Sequence, residues 1–337
     1  MKSLLLFSFL FIISFPLYAQ IVAPSLDPST SSELPSVTSW RYSHTAAASY
    51  SSGKIKEEEG GATEDSTSTM TGVMLGLNFD GLGIEGSSFN PKVKGSGENT
   101  IDVTRNTVLL GYLFGDLFSI GIGQRTTTLN IERSDSNMTM DMDGEETEQI
   151  ASATLRIAEV IFLSAGINNI KETGHIKMTI PVMPSMNADV DLEEMSYTQT
   201  IFGVGILSGN PGDFQFKAEI SMTSSPEKVE EASSSSKMTN TTQKSDTSIG
   251  VVEVKTGPYF LGVSSSTKTE AKLTMSDPND SEAEKVTTST MVGVGYLMEE
   301  GLLVSISSAT EIETEKKDSG DVKTTENSYS ISIGYSF

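Results

Sequence analysis

The chain contains no cysteine, so it has neither a disulfide framework nor the residue to which a lipoprotein anchor is attached. It has two histidines, His44 and His175, which leaves few candidates for histidine-based acid–base catalysis. Positive charge is also scarce, because 23 Lys and Arg stand against 45 Asp and Glu, giving a net charge of −22. Since phosphate binding needs a basic patch, nucleic acid is excluded as a partner.

Beyond the N-terminal segment, the sequence has no run of the roughly 20 apolar residues that a membrane-spanning helix needs. Lys2 precedes an apolar stretch over residues 4–15, and Ala19 ends a small-residue segment before Gln20. This pattern predicts a secretory signal over residues 1–19, because the run is too short to span a bilayer. Residues 20–36 hold three prolines and many serines and are expected to form an irregular periplasmic lead-in.

The last segment, residues 329–337, alternates large apolar residues with small polar ones. Such a strand has one apolar and one polar face, and an exposed edge strand invites aggregation unless the sheet closes on itself. The ending Ile333-x-Tyr335-x-Phe337 resembles the C-terminal β-signal of Gram-negative outer-membrane barrels, which the barrel-assembly machinery reads. The resemblance implies a bacterial outer-membrane location, Tyr335 and Phe337 as the assembly signal, and outer-membrane lipid and lipopolysaccharide as partners.

Alternating segments joined by turn residues recur along the chain, and the clearest hairpin spans residues 107–125 around Gly115 and Asp116. Six hairpins plus a first and a last strand predict an all-β fold, a closed antiparallel transmembrane β-barrel of about 14 strands over residues 37–337. The expected hairpin centres are residues 80–81, 115–116, 158–159, 208–213, 256–258 and 298–301.

The connections differ in length, and outer-membrane barrels keep short turns in the periplasm and long loops outside. The polar, acidic segments expected to form extracellular loops are residues 51–68, 88–100, 130–148, 172–194, 223–246, 268–285 and 313–325. The aromatic residues that cluster beside the short turns predict a periplasmic girdle; they are Trp40, Phe79, Phe114, Phe118, Phe162, Phe214, Tyr259, Tyr296, Tyr335 and Phe337.

The face of the predicted strands opposite the apolar face is mostly Gly, Ser and Thr, which would leave room for water inside a barrel. The charged residues with inward parity are candidates for lining a pore; they are Arg41, Glu85, Arg105, Arg125, Arg156, Lys217 and Glu219. Arg105 and Arg125 are about equally far from the turn at residues 115–116, so we expect them to oppose each other near the outer mouth. Either an acidic residue pairs with them, or they stay hydrated and attract anions, or they reach upward to lipopolysaccharide.

Catalytic and metal-binding motifs are weak. The G-x-G-x-x-G at residues 81–86 falls on a hairpin rather than between a strand and a helix. His175 has acidic residues nearby, as an omptin-like site would, but a solvated loop histidine is the favoured interpretation. Residues 141–148 resemble part of a calcium loop, yet Thr139 and Ile150 occupy ligand positions. We therefore predict no enzyme activity, no cofactor and no metal.

The function predicted from the sequence is a porin-like channel for passive diffusion of small hydrophilic solutes. The main alternative is a structural or surface-interaction barrel with an occluded lumen. A transporter of hydrophobic substrates is a third hypothesis, although such 14-stranded barrels carry an N-terminal hatch longer than residues 21–36. An enzyme is the least favoured of the four.

Overall fold

The structure, a computed structural model, describes residues 44–59, 62–95, 99–115, 117–157, 160–179, 187–209, 214–225, 240–242, 245–271, 273–275, 284–298, 301–316 and 321–336. Every regular element in these ranges is a β-strand. The strands are β1 (Thr45–Glu59), β2 (Ala62–Phe79), β3 (Leu82–Lys94), β4 (Thr100–Phe114), β5 (Phe118–Ser134), β6 (Thr139–Ile157), β7 (Ile161–Thr179), β8 (Ala188–Gly209), β9 (Phe214–Ser224), β10 (Asn240–Thr242), β11 (Ser245–Thr256), β12 (Tyr259–Ala271), β13 (Leu273–Met275), β14 (Glu284–Leu297), β15 (Leu302–Lys316) and β16 (Val322–Ser336).

Fourteen of these strands close into an antiparallel barrel, as the sequence predicted. Consecutive barrel strands pair with each other, and the barrel closes where β1 pairs with β16 from Thr45↔Ser336 to Glu59↔Val322. The two short strands β10 and β13 form a separate sheet. Closure pairs both edges of the sheet, so the aggregation hazard of a free edge strand is removed. The expected signal segment and lead-in lie outside the described residues.

Short turns lie at one end of the barrel, which is the periplasmic end by the rule for outer-membrane barrels. One of the two-residue turns is Asp80-Gly81, where both residues have positive φ, 49° and 91°. Two central residues with positive φ match the right-handed twist of the flanking strands, and glycine adopts this conformation without strain. The predicted two-residue turn at residues 115–116 is longer, because Phe114 pairs with Phe118 and leaves a three-residue connection.

Five of the seven polar segments expected to be loops are mostly strand, which corrects that part of the sequence analysis; much of the other two, residues 223–246 and 268–285, lies outside the described residues. Residues 51–59 continue β1, and residues 139–148 belong to β6. At this end of the barrel the chain reverses across shorter gaps, for example residues 60–61 and 135–138. Ladder hydrogen bonds do not depend on apolar side chains, and threonine is a good strand former. The strands therefore extend well beyond the apolar part of the barrel.

The two faces of the wall differ as the alternation predicted. Large apolar side chains are exposed on the outward face near the short turns, for example Val108, Ile120 and Ile122. The aromatic residues of the expected girdle that lie exposed on this face are Phe79, Phe114, Phe118, Phe214, Tyr259, Tyr296 and Tyr335. Phe162 was wrongly placed in the girdle, because it is 7% exposed and faces inward. Trp40 and Phe337 lie outside the described residues.

No helix in the described part of the chain is long and apolar enough to cross a membrane.

Candidate functional site

The residues expected to line a pore occupy the inner face at several places. Glu85 lies on β3, Arg105 on β4, Arg125 on β5, Arg156 on β6, and Lys217 and Glu219 on β9. Glu85, Arg125 and Lys217 are buried. Arg41 lies outside the described residues, and Tyr335, half-exposed, faces outward near the end of β16. These residues form no single site, since they are spread over four regions of the wall.

The pairing of β4 with β5 brings Arg105 and Arg125 close together but not directly opposite. Arg105 pairs with Thr127, and Arg125 pairs with Thr107. The expected direct opposition was therefore wrong: Phe114 pairs with Phe118, which centres the hairpin one residue beyond the midpoint between the two arginines, so each arginine pairs two positions away from the other. The two arginines are diagonal neighbours on one face, and Arg105 Nε donates a hydrogen bond to Thr127 Oγ1 at 3.1 Å. The offset relieves the repulsion that like charges directly opposite would produce.

Arg125 is neutralised by a carboxylate from the next strand. Its Nη1 donates to both carboxylate oxygens of Glu148 on β6, at 3.1 and 3.0 Å, and both side chains are less than a tenth exposed. Asn168 on β7 donates its amide to Glu148 as well. Glu148 therefore accepts charge-assisted hydrogen bonds from two neighbouring strands, which favours a fixed geometry. An acidic residue does pair with the arginine, but it comes from the wall and not from a loop.

Two further carboxylates adjoin this pair. Glu146 on β6 lies directly opposite Glu172 on β7, and both are buried. Tyr197 on β8 donates its hydroxyl to Glu172 at 2.8 Å. We call this group the arginine–glutamate cluster: Arg105, Arg125, Glu146, Glu148, Asn168, Glu172 and Tyr197. Sequence reasoning missed its carboxylates because it assigned residues 130–148 and 172–194 to loops.

A weak signal for these residues was present in the sequence. Met140, Met142 and Ile150 share even parity with Glu146 and Glu148. Continuing the strand alternation backward from Ile150 through the acidic stretch would have placed both glutamates on the inner face.

An apolar cluster lies beyond the arginine–glutamate cluster, toward the ends of the strands away from the short turns. It consists of Val103, Leu129, Ile131, Met140 and Met142, all buried, with Ile101 and Ile176 packed against it. We call it the outer apolar cluster. It was not expected, because the inner face was predicted to be mostly Gly, Ser and Thr. Its members share the parity of Arg105, Arg125 and Glu146 on β4, β5 and β6, so they face the lumen.

Other inward charges are also paired, either across strands or along one strand. Lys285 on β14 lies 2.9 Å from Glu313 on β15, six strand positions around the barrel from β6. Lys217 Nζ lies 3.4 Å from Glu219, and Glu253 on β11 is the direct cross-strand partner of Lys217.

Near the periplasmic end, the Arg156 guanidinium lies over the Phe162 ring at 5.6 Å, a cation–π contact. Most inward charges therefore have a counter-charge or an aromatic partner on the wall itself.

His175 lies on β7 near the outer end, in an exposed group. Its Nδ1 is 2.8 Å from Asp191, and its Nε2 is 3.2 Å from Asp189. The two aspartates are largely exposed, so the group is solvated, and it lies on a strand instead of in the loop that was expected. Within the described residues, no group of three or more His, Asp or Glu is arranged to hold a metal ion.

Comparison with known proteins shows a fold likeness at low sequence identity. A Pseudomonas aeruginosa FadL homologue matches with 13% identity and a TM-score of 0.57, covering 93% of this chain and 94% of that chain. The Ralstonia pickettii toluene transporter TbuX matches with 10% identity and a TM-score of 0.56, covering 92% and 94%. The Pseudomonas putida toluene transporter TodX matches with 10% identity and a TM-score of 0.51, covering 90% and 91%.

No protein-family model matches the chain, and neither does any curated protein sequence. At these identities the structural likeness shows the fold, a closed 14-stranded barrel of the outer-membrane kind. Together with the apolar outward face, this places the protein in a bacterial outer membrane.

Proposed function

We propose that this barrel is an outer-membrane channel for small molecules with an apolar or aromatic body. The observation that carries the proposal is the outer apolar cluster, in which Leu129, Ile131, Met140 and Met142 face the lumen where a solute would enter. Apolar side chains on the inner wall bind apolar solutes and gain nothing from hydrophilic ones. Structures with the same fold include toluene transporters and a monoaromatic hydrocarbon channel, which agrees with this class of solute.

The burial of the inward charges favours an apolar channel over a wide aqueous pore. In a porin the charged residues of the lumen meet water, whereas Arg125 and Lys217 are 8% and 3% exposed. Their partners are carboxylates of the wall, Glu148 and Glu219. Paired, buried charges leave little water-filled cross-section for sugars and ions. The hydrophilic-solute porin expected from the sequence is therefore the less favoured channel.

Uptake by intact cells tests the proposal, because toluene crosses a phospholipid bilayer unaided but is slowed by lipopolysaccharide. We expect a Gram-negative host that expresses the barrel to take up labelled toluene faster than the same host with an empty vector. Leu129→Asn combined with Met142→Asn should lower this rate by making the outer apolar cluster polar. The matched control is Thr128→Asn, which changes an exposed outward residue on the same strand as Leu129.

Uptake equal to that of the empty vector would refute the proposal. Rapid swelling of proteoliposomes in arabinose would then favour the hydrophilic porin. If neither toluene uptake nor swelling depends on the protein, the second candidate, a barrel with an occluded lumen that acts at the cell surface, is favoured. The buried cross-strand pairs Arg125–Glu148 and Lys285–Glu313 support that candidate.

A further inference from the structure

A second set of large apolar side chains faces the lumen at the periplasmic end of the barrel. These residues form two packed groups, which we call together the periplasmic apolar ring. The members are Met74, Phe260, Leu297 and Leu303 in one group, and Leu113 and Phe162 in the other. Phe162, Phe260 and Leu303 are 7%, 6% and 7% exposed. Side chains that line a wide, water-filled lumen would keep far more of their surface exposed, so water has little access to this level of the barrel.

The two groups of the ring lie on opposite sides of the lumen. Phe260 on β12 and Leu113 on β4 are seven strand positions apart in a barrel of fourteen strands. Phe260 is the second residue of β12, and Leu113 is the next to last residue of β4, so both lie beside short turns. The ring therefore narrows the lumen where a solute would leave the barrel for the periplasm.

Small residues between the ring members allow the large side chains to meet. One row of cross-strand partners runs from Leu303 through Gly334 and Ala47 to Met74. Leu303 and Met74 are three strand positions apart, which is roughly 14 Å of wall, yet Met74 packs against the pair of Phe260 and Leu303. Leu303 extends over Gly334, because a Cβ on this glycine would lie 3.5 Å from Leu303 Cδ2. The apolar surface is therefore continuous over this part of the wall.

The position of the Phe260 ring is set by a glycine. Gly295 on β14 is the direct cross-strand partner of Phe260, and a Cβ on Gly295 would overlap the aromatic ring. The ring thus lies against the wall in the space that a side chain would fill, and any side chain at residue 295 would displace it. Phe89, the eighth residue of β3, makes the same type of contact with its partner Gly72. Phe89 lies outside the periplasmic apolar ring.

An apolar constriction acts differently on ions and on apolar solutes. Hydrophobic constrictions block ions by losing their water, and an ion that loses its hydration pays a large free-energy cost. An apolar solute exchanges water for apolar contacts, which is favourable. Met74 is flexible and adapts its shape to a passing solute. A barrier to ions can therefore be a path for hydrocarbons.

Taking the proposed channel function as its basis, we propose that the periplasmic apolar ring is a hydrophobic gate. It keeps ions and hydrated solutes from the periplasmic exit and leaves apolar solutes a path between its side chains. Phe260 determines this selectivity, because it belongs to the buried part of the ring and is held in place by Gly295. The outer apolar cluster admits the solute, and the ring excludes the water and ions that would follow it.

Ion conductance of the full-length barrel in planar lipid bilayers tests the gate without any apolar solute. We expect the unaltered barrel to conduct little. Phe260→Ser should conduct at least about tenfold more, because the hydration difference of one large apolar side chain corresponds to about that factor. The matched control is Phe89→Ser, which also removes a phenylalanine from a glycine on the inner wall and should leave the conductance unchanged. Leu303→Ser should act like Phe260→Ser and replaces it if the heat-dependent gel shift shows that Phe260→Ser does not fold.

Toluene uptake by intact cells tests the path through the gate. Gly295→Ala should push the Phe260 ring away from the wall into the lumen and lower the uptake rate. Adding Phe260→Ala to Gly295→Ala removes the ring and should restore the rate. A second substitution in a purely structural contact would not restore transport, so recovery assigns the effect to the gate.

The outcomes separate this inference from the proposed function. If folded Phe260→Ser conducts no more than the unaltered barrel, or if Phe89→Ser raises the conductance as much, the gate is overturned, while toluene uptake by the unaltered barrel would keep the apolar channel. Unchanged uptake in Gly295→Ala would overturn the role of Phe260 in the path. If Phe260→Ser conducts as expected but the unaltered barrel takes up no toluene, the ring excludes ions as proposed and the proposed channel function is overturned.

Discussion

Replacing Arg125 by Gln should lower the free energy of unfolding by about 3 kcal/mol. The guanidinium donates to both oxygens of Glu148 at 3.1 and 3.0 Å, and both side chains are nearly buried. Removing one member of such a pair leaves a buried charge and costs about 3–5 kcal/mol. We expect the lower end of this range, because Asn168 still donates to Glu148 in the variant.

A second ion pair in the same barrel provides the control. Lys171 on β7 lies 2.9 Å from Glu194 on β8, but both side chains are more than half exposed. Exposed pairs contribute about 0–1 kcal/mol, so Lys171→Gln should change stability by less than about 1 kcal/mol. The double variant Arg125→Gln/Glu148→Gln leaves neither charge buried. Its cost should fall short of the sum of the single costs by about 2 kcal/mol, which is typical coupling for residues in contact.

Urea unfolding of the barrel in lipid vesicles, followed by circular dichroism, measures these differences. The gel mobility of the unboiled protein gives an independent reading of the folded fraction. A cost for Arg125→Gln no larger than that for Lys171→Gln would refute the reasoning, because it would mean that water screens the pair. Additive costs in the double variant would have the same meaning. Either result would favour a wider, hydrated lumen.

Three further predictions concern the barrel itself. Unboiled protein should migrate differently from boiled protein in SDS gels, because a closed barrel has no free edge at which unfolding starts; identical migration would count against the barrel. A chain without Phe337 should reach the outer membrane at reduced levels on immunoblots of membrane fractions, and normal levels would remove the β-signal argument. Ile122 is an outward residue that is 65% exposed, and Ile122→Lys should lower the free energy of unfolding in urea by up to about 2–4 kcal/mol. The control Thr126→Lys, on the same face beyond the apolar residues, should leave it nearly unchanged.

The barrel and its strand number could be predicted because the signals are local. Period-two alternation sets the two faces of each strand, and turn residues such as Asp80 and Gly81 mark where the chain reverses. Closure followed from the apolar final strand, and the structure confirms the pairing of β1 with β16. The outward aromatics follow from the same parity, with Phe162 as the exception. Phe162 lies beside a short turn, but its parity on β7 points inward, and proximity to the turn was the wrong criterion.

The arginine–glutamate cluster could not be predicted because composition hid its strands. Residues 130–148 are rich in Asp, Glu, Ser and Thr, which usually indicates a solvated loop. In a closed barrel each strand is held by ladder bonds on both sides, so a polar segment stays extended as long as its neighbours do. Glu146 and Glu148 lie within such a segment. Their inward direction follows only once the strand is extended beyond the apolar region.

Register was the second limit, because it depends on turn length rather than on pattern. Direct opposition of Arg105 and Arg125 would have required a hairpin centred on Gly115. The observed three-residue connection pairs Arg125 with Thr107 and with Glu148 on the other side. A parity argument is unaffected by this shift, since both arginines stay on the inner face. The predicted contact between the two arginines fails, because each arginine pairs with a residue two positions away from the other arginine.

Inward charges on a barrel wall indicate a hydrophilic pore only if they remain free to meet solutes. Here Arg125 and Lys285 lie against carboxylates of neighbouring strands, so their charges act mainly on the wall. The aliphatic parts of such paired side chains are apolar, and a solute would meet them together with Leu129 and Met142. The selectivity of this barrel should therefore respond more to the outer apolar cluster than to the charges predicted to line the pore.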